Sequence, residues 1–199
     1  MLYERKSAKK IEEDMMVKSY AYDALIEYGI TSLPVDFPDY RMKNILITSF
    51  QQYFYTRKKP AHINIDREGG AVMCLEAGEN AHFILFFDGN LSKEAKRWVI
   101  AKLLYYIRCG FAEEHVGNYI VSGESSKAIE FAQFFTCPDI ILESHNILSA
   151  EDIIKYCQVP FSTASRKARY LKNGHNRFYL PTLEKLVQEN FKQYKGPQS

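Results

Sequence analysis

The sequence predicts an α+β protein: a small sheet of three to four strands, one long helix packed on it, and a helical C-terminal third. Three observations carry this. Short β-branched or apolar runs cluster between residues 44 and 87. The turn-forming Asp88-Gly89-Asn90 closes that stretch. After it, every apolar pattern recurs at helical spacing.

Taken in order, the first fifteen residues are polar and read as the frayed start of a helix. The pattern strengthens over 18–28, with Tyr20, Ala24, Leu25 and Tyr28 on one stripe, and Gly29 stops it. Residues 30–39, with Pro34 and Pro38, read as a connector into a short helical turn. Strands are expected at 44–49 (NILITS), 71–76 (AVMCLE) and 82–87 (HFILFF), with a further one at 61–66 (AHINID). AVMCLE and HFILFF flank AGEN, which marks a hairpin. HFILFF is apolar on both alternating faces, so it belongs in the middle of the sheet. Helices are expected at 92–108, 125–135, 150–157, 162–172 and 182–194. Ser92 and Ser149 are N-caps, and Glu94 suits the positive end of its helix. The last helix carries Leu183, Leu186, Val187 and Phe191 as its apolar stripe.

The bulk numbers exclude several classes. The chain has 199 residues and a net charge of +2, too small to imply nucleic acid by itself. No apolar run approaches a membrane span, and MLYERKSAKKIEEDMM lacks a secretory apolar core, so a cytoplasmic address is expected. The cysteines, Cys74, Cys109, Cys137 and Cys157, form no C-x-x-C and are expected to be reduced and mostly buried. The predicted organisation is a first domain over 1–145 and a helical subdomain over 146–199 packed on it.

Residues 97–106, Arg-Trp-Val-Ile-Ala-Lys-Leu-Leu-Tyr-Tyr, sit early in a helix that follows a strand and a turn. This arrangement resembles the ImmA/IrrE family of bacterial and phage metallopeptidases, whose segment reads R-F-T-x-A-H-E-L-G-H. YDALIEYGITSLPVD (22–36) resembles that family's opening helix and proline connector. AIEFAQFFTCP (128–138) resembles its A-N-x-F-A helix, and AEDIIKYCQVPFSTASRKARYL (150–171) its V-S-x-x-A-x-x-R-l segment. The likeness spans roughly residues 20–172 and rests on the order and spacing of the pieces. It implies a zincin-like domain and, for active members, a zinc endopeptidase acting on helix–turn–helix repressors of phages and mobile elements.

The departures fall on the chemistry. H-E-x-x-H works because residues four apart share a helix face, so two imidazoles reach one ion while the glutamate handles the proton of the bound water. Carried over, the first ligand position is Lys102, the base Leu103 and the second ligand Tyr106. The third-ligand region is Gly123-Glu124-Ser125-Ser126-Lys127-Ala128, with Ser125 and Lys127 at the aligned positions. An ammonium repels a divalent cation, Leu103 accepts no proton, and a phenol of pKa about 10 ligates only as phenolate. The expectation is therefore a pseudo-peptidase with no catalytic residue, no metal and no cofactor, acting by binding another protein.

Two other readings are kept. Ala150–Leu171 has a helix–turn–helix cadence, and no acidic residue occurs from Ile153 to Leu183. Arg166, Lys167, Arg169 and Lys172 would then be the nucleic-acid contacts of a DNA-binding regulator. The third reading is a metallopeptidase with an atypical site, for which Glu113-Glu114-His115 is the nearest donor group in sequence.

Overall fold

The computed structural model describes residues 8–37, 41–55, 57–60, 63–64, 69–121, 123, 125–173 and 179–196. The chain runs α1 (Ala8–Glu27), β1 (Arg41–Met42), β2 (Ile45–Ser49), α2 (Phe50–Tyr53), β3 (Gly70–Glu76), β4 (His82–Phe87) and α3 (Lys93–Arg108). A 3₁₀ turn (Glu113–His115) and β5 (Tyr119–Val121) follow. The remainder is helical: α4 (Ser126–Thr136), α5 (Asp139–Ser144), α6 (Ala150–Cys157), α7 (Phe161–Lys172) and α8 (Pro181–Asn190).

The strands form one mixed sheet in the order β1-β2-β4-β3-β5. β4 lies at its centre, parallel to β2 (Ile45 opposite Phe83) and antiparallel to β3 (Val72 opposite Leu85). Its sequence explains the position. Phe83 and Leu85 enter the main core on one face, while Ile84 and Phe86 enter a second cluster on the other. That second cluster is thin: the Phe86 ring stacks on Phe50 at 5.4 Å and meets Tyr53 edge-on at 4.9 Å. β5 and the two-residue β1 are the edges, and neither was anticipated from sequence. Of the strand expected at 61–66, residues 61–62 and 65–66 lie outside the described residues, and Ile63 and Asn64 are in neither helix nor strand.

On the thick face α3 lies against β3 and β4, and α4 packs on α3. α1 packs on α4 and α8, and α6 on α7. Val17, Leu104, Phe131, Ile153 and Val187 belong to one buried cluster, so residues on both sides of position 145 share a core. α1 begins ten residues before the expected pattern, and its buried face is Val17, Lys18, Ala21, Tyr22, Ala24 and Leu25; Tyr20 and Tyr28 are only partly buried. On α8 the buried positions are Glu184, Val187 and, just beyond it, Phe191, while Leu186 is exposed. No described helix is long and apolar enough to cross a membrane.

Candidate functional site

Helix α3 starts at Ser92, whose hydroxyl accepts a hydrogen bond from the Ala95 N–H. Its inner face, with Val99, Ile100, Leu103 and Leu104, is buried against the sheet and α4. The approach to β3 is close. A Cβ at Gly70 would lie 2.4 Å from Val99 Cγ1, 2.7 Å from the Phe86 carbonyl oxygen and 3.0 Å from Leu103 Cδ1. Only a residue without a side chain fits there, and Leu103, 0% exposed, fills the space that results.

Lys102 and Tyr106, one turn apart, are partly buried beside Leu103. The Tyr106 ring lies 5.6 Å from Tyr105 and 5.9 Å from Phe111. The nearby Ser125 hydroxyl favours its phenolate form. The fold thus brings Tyr106 near Ser125, one of the two residues set against the third ligand by the resemblance, across 19 residues of chain. The other, Lys127, turns away to an ion pair with Glu13 at 3.4 Å. Glu124 lies outside the described residues. Burial raises the Tyr106 phenol above its ordinary value and outweighs the Ser125 hydrogen bond that lowers it. A phenolate ligand is correspondingly less available. An ammonium, an aliphatic side chain and a protonated phenol do not fit a zinc ion. No group of three or more His, Cys, Asp or Glu stands ready to hold a metal among the described residues. His115 packs on the Phe111 ring at 4.2 Å, and its Nδ1 lies 2.8 Å from the Phe111 carbonyl oxygen.

A second junction involves Arg97, which is 5% exposed. Its guanidinium donates to Asp36 Oδ1 at 2.6 Å and more weakly to Gln158, at 3.3 Å to the carbonyl and 3.4 Å to the side chain. Arg97, Asp36 and Gln158 come from α3, the proline connector and the α6–α7 link, three of the segments that carry the resemblance.

The feature that sequence reasoning missed is a buried ionic cluster. Lys18 (α1) donates to Glu184 Oε1 (α8) at 2.7 Å, and its Nζ lies 3.5 Å from Asp139 Oδ2 (α5). Lys167 (α7) donates to Asp139 Oδ1. All four side chains are at most 9% exposed. The Phe134 ring lies under both ammonium groups, 5.9 Å from Lys18 Nζ and 4.7 Å from Lys167 Nζ. Burial first, and then the Asp139 charge, push the neighbouring Tyr22 phenol well above its ordinary value. The signal was present in the sequence. Lys18 precedes Ala21, Tyr22 and Leu25 at helical spacing, Lys167 follows Ala164, and Glu184 precedes Val187 and Phe191. Each is a charge on an apolar stripe.

This corrects one assignment. Lys167, counted among the nucleic-acid contacts, is 2% exposed and paired to Asp139, so it belongs to the core. Arg166, Arg169 and Lys172 are exposed on the outer side of α7. All four cysteines are free; Cys74, Cys137 and Cys157 are buried and Cys109 partly so.

Fold and site define a class: a mixed α/β domain in which a long helix lies on a mixed sheet and a buried ionic cluster ties further helices to it. Comparison with protein-family models, curated proteins and solved structures returns no match for this chain.

Proposed function

We propose that this chain is a non-catalytic relative of the ImmA/IrrE metallopeptidases, zincin-like in plan, which acts by binding another protein. The partner class the reading implies is a helix–turn–helix repressor of a phage or mobile element, bound without being cut. The observation that carries the reading is the environment of Leu103. The residue at the position of the family's catalytic base is wedged against Gly70, where it serves packing. Two further contacts support it. Tyr106 and Ser125, which the resemblance sets at the second- and third-ligand positions, lie near each other. Arg97 links three of the four segments that resemble the family.

The test mixes the purified protein with a candidate repressor and follows both binding and the repressor's length. The expected result is a complex with the repressor intact, weakened at least about tenfold by K102E or Y106A, a loss typical of removing one interface anchor. One zinc per chain, together with chelator-sensitive cleavage of the repressor, would overturn the reading. So would the absence of any complex across a panel of such repressors.

A further inference from the structure

We propose that the outer face of α7 is a docking surface for duplex nucleic acid. This goes beyond the protein-binding reading and does not depend on it. α6 has eight residues and ends at Gln158, whose backbone is left-handed (φ 50°). Gln158, Val159 and Pro160 form the link, and α7 then runs for twelve residues. Ile153, Cys157, Val159, Ala164 and Ala168 are buried and hold the pair together. What remains outside is a single face of α7: Phe161, Ser162, Arg166, Arg169 and Lys172 are all exposed, Phe161 to 70%.

Ser162, Arg166 and Arg169 stand at i, i+4 and i+7, so they point the same way. Twelve residues make a rod about 18 Å long and 10–12 Å wide. That matches a major groove about 12 Å across, with cations positioned for the phosphates on its walls. Charge favours this occupant. α7 contains no acid, and its first turn carries none. Carboxylates share two depressions with these cations: Glu151 with Arg169 and Lys172, and Asp14 and Glu130 with Arg166 beside α1 and α4. α7 packs chiefly on α6, so its outward side is not covered by the rest of the described chain. The burial of Lys167 sharpens the surface to three cations.

The experiment is fluorescence anisotropy of a labelled 30-base-pair mixed-sequence duplex, titrated with the full chain between 50 and 200 mM salt. Three phosphate contacts predict that log K falls against log salt with a slope of about −3. The triple reversal R166E/R169E/K172E is expected to lose at least about tenfold in affinity at 50 mM salt. The control reverses Arg57, Lys58 and Lys59, exposed on a loop by the thin face of the sheet, to glutamate and has the same net charge. It is expected to stay within about threefold of the parent, because screened charges away from the contact contribute little. Circular dichroism checks that both variants fold. No binding at 50 mM salt overturns the proposal. Equal losses in the two variants overturn it too, since net charge alone would then explain binding. Polyglutamate competing as well as duplex overturns it in favour of an acidic protein partner.

Discussion

The two sides of the long helical layer are joined to their neighbours by opposite means. α3 meets the sheet through shape: Val99 and Leu103 close on a strand that has no side chain at Gly70. α1, α5, α7 and α8 meet through charge: two ammonium groups and two carboxylates, all nearly removed from water, pair with one another. A shape-based joint tolerates apolar swaps that conserve volume and resists added bulk. A charge-based joint tolerates nothing that alters its balance, because a stranded buried ion bears the full desolvation penalty. Replacing a whole buried ionic group with apolar residues is often neutral, so the cluster specifies which helices pair more than it adds stability.

The largest effect is expected from D139A, which removes the carboxylate that both buried lysines approach. Loss of a buried ionic partner is worth roughly 3–5 kcal/mol. Thermal unfolding should show a fall in Tm on the order of 10 °C for a chain of this size. A shift below about 2 °C would mean that the cluster is wet, contrary to its burial. The paired change K18M/E184L should cost less than the sum of the two single changes, a coupling that a double-mutant cycle reads directly. At the shape-based joint, G70A forces a methyl group onto the Phe86 carbonyl, and overpacking of this kind costs about 1–3 kcal/mol. Denaturant unfolding should show the midpoint shift without a change of slope. No shift at all would mean that α3 stands off the sheet.

The smallest effect belongs to Glu27 on the surface. Its partial burial would raise its pKa, but hydrogen bonds and charge from Lys43 and Arg108 outweigh that and hold it low. A depressed carboxylate contributes stability above its unfolded pKa of about 4.3 and loses it as pH falls through the lower folded value. E27Q should therefore be less stable than the parent at pH 7, by under about 1 kcal/mol for so exposed a pair. The gap should close as pH falls through that lower folded value. A gap that persists unchanged in acid would show that packing, and not charge, is what the substitution removes.

Much of the architecture could be read from local chemistry. Ser92 and Ser149 announce α3 and α6, the Asp88-Gly89-Asn90 turn separates sheet from helix, and HFILFF declares itself central because both of its faces are apolar. β5, at three residues, is too short for alternation to register, and α5, at six, is too short for helical periodicity. The approach of Tyr106 to Ser125 is tertiary, and no spacing rule reaches it. Lysine and glutamate are ordinarily surface residues, so the sequence alone sets Lys167 on the outside with Arg166 and Arg169 and leaves the ionic cluster unread. The positions were visible; their partners, as much as 166 residues away, were not.

That separation bears on how the chain is made. Lys18 is synthesised 166 residues before Glu184, an interval of roughly 8–33 s at ribosomal rates of about 5–20 residues per second. Asp139 reaches it first, Lys167 joins next, and Glu184 comes last. α1 can pack on α4 before then, but its contact with α8 waits for Pro181–Asn190. A nascent chain halted between residues 167 and 184 should therefore leave the α8-facing flank of α1 uncovered, open to proteases and to chaperones, however well its sheet has already formed.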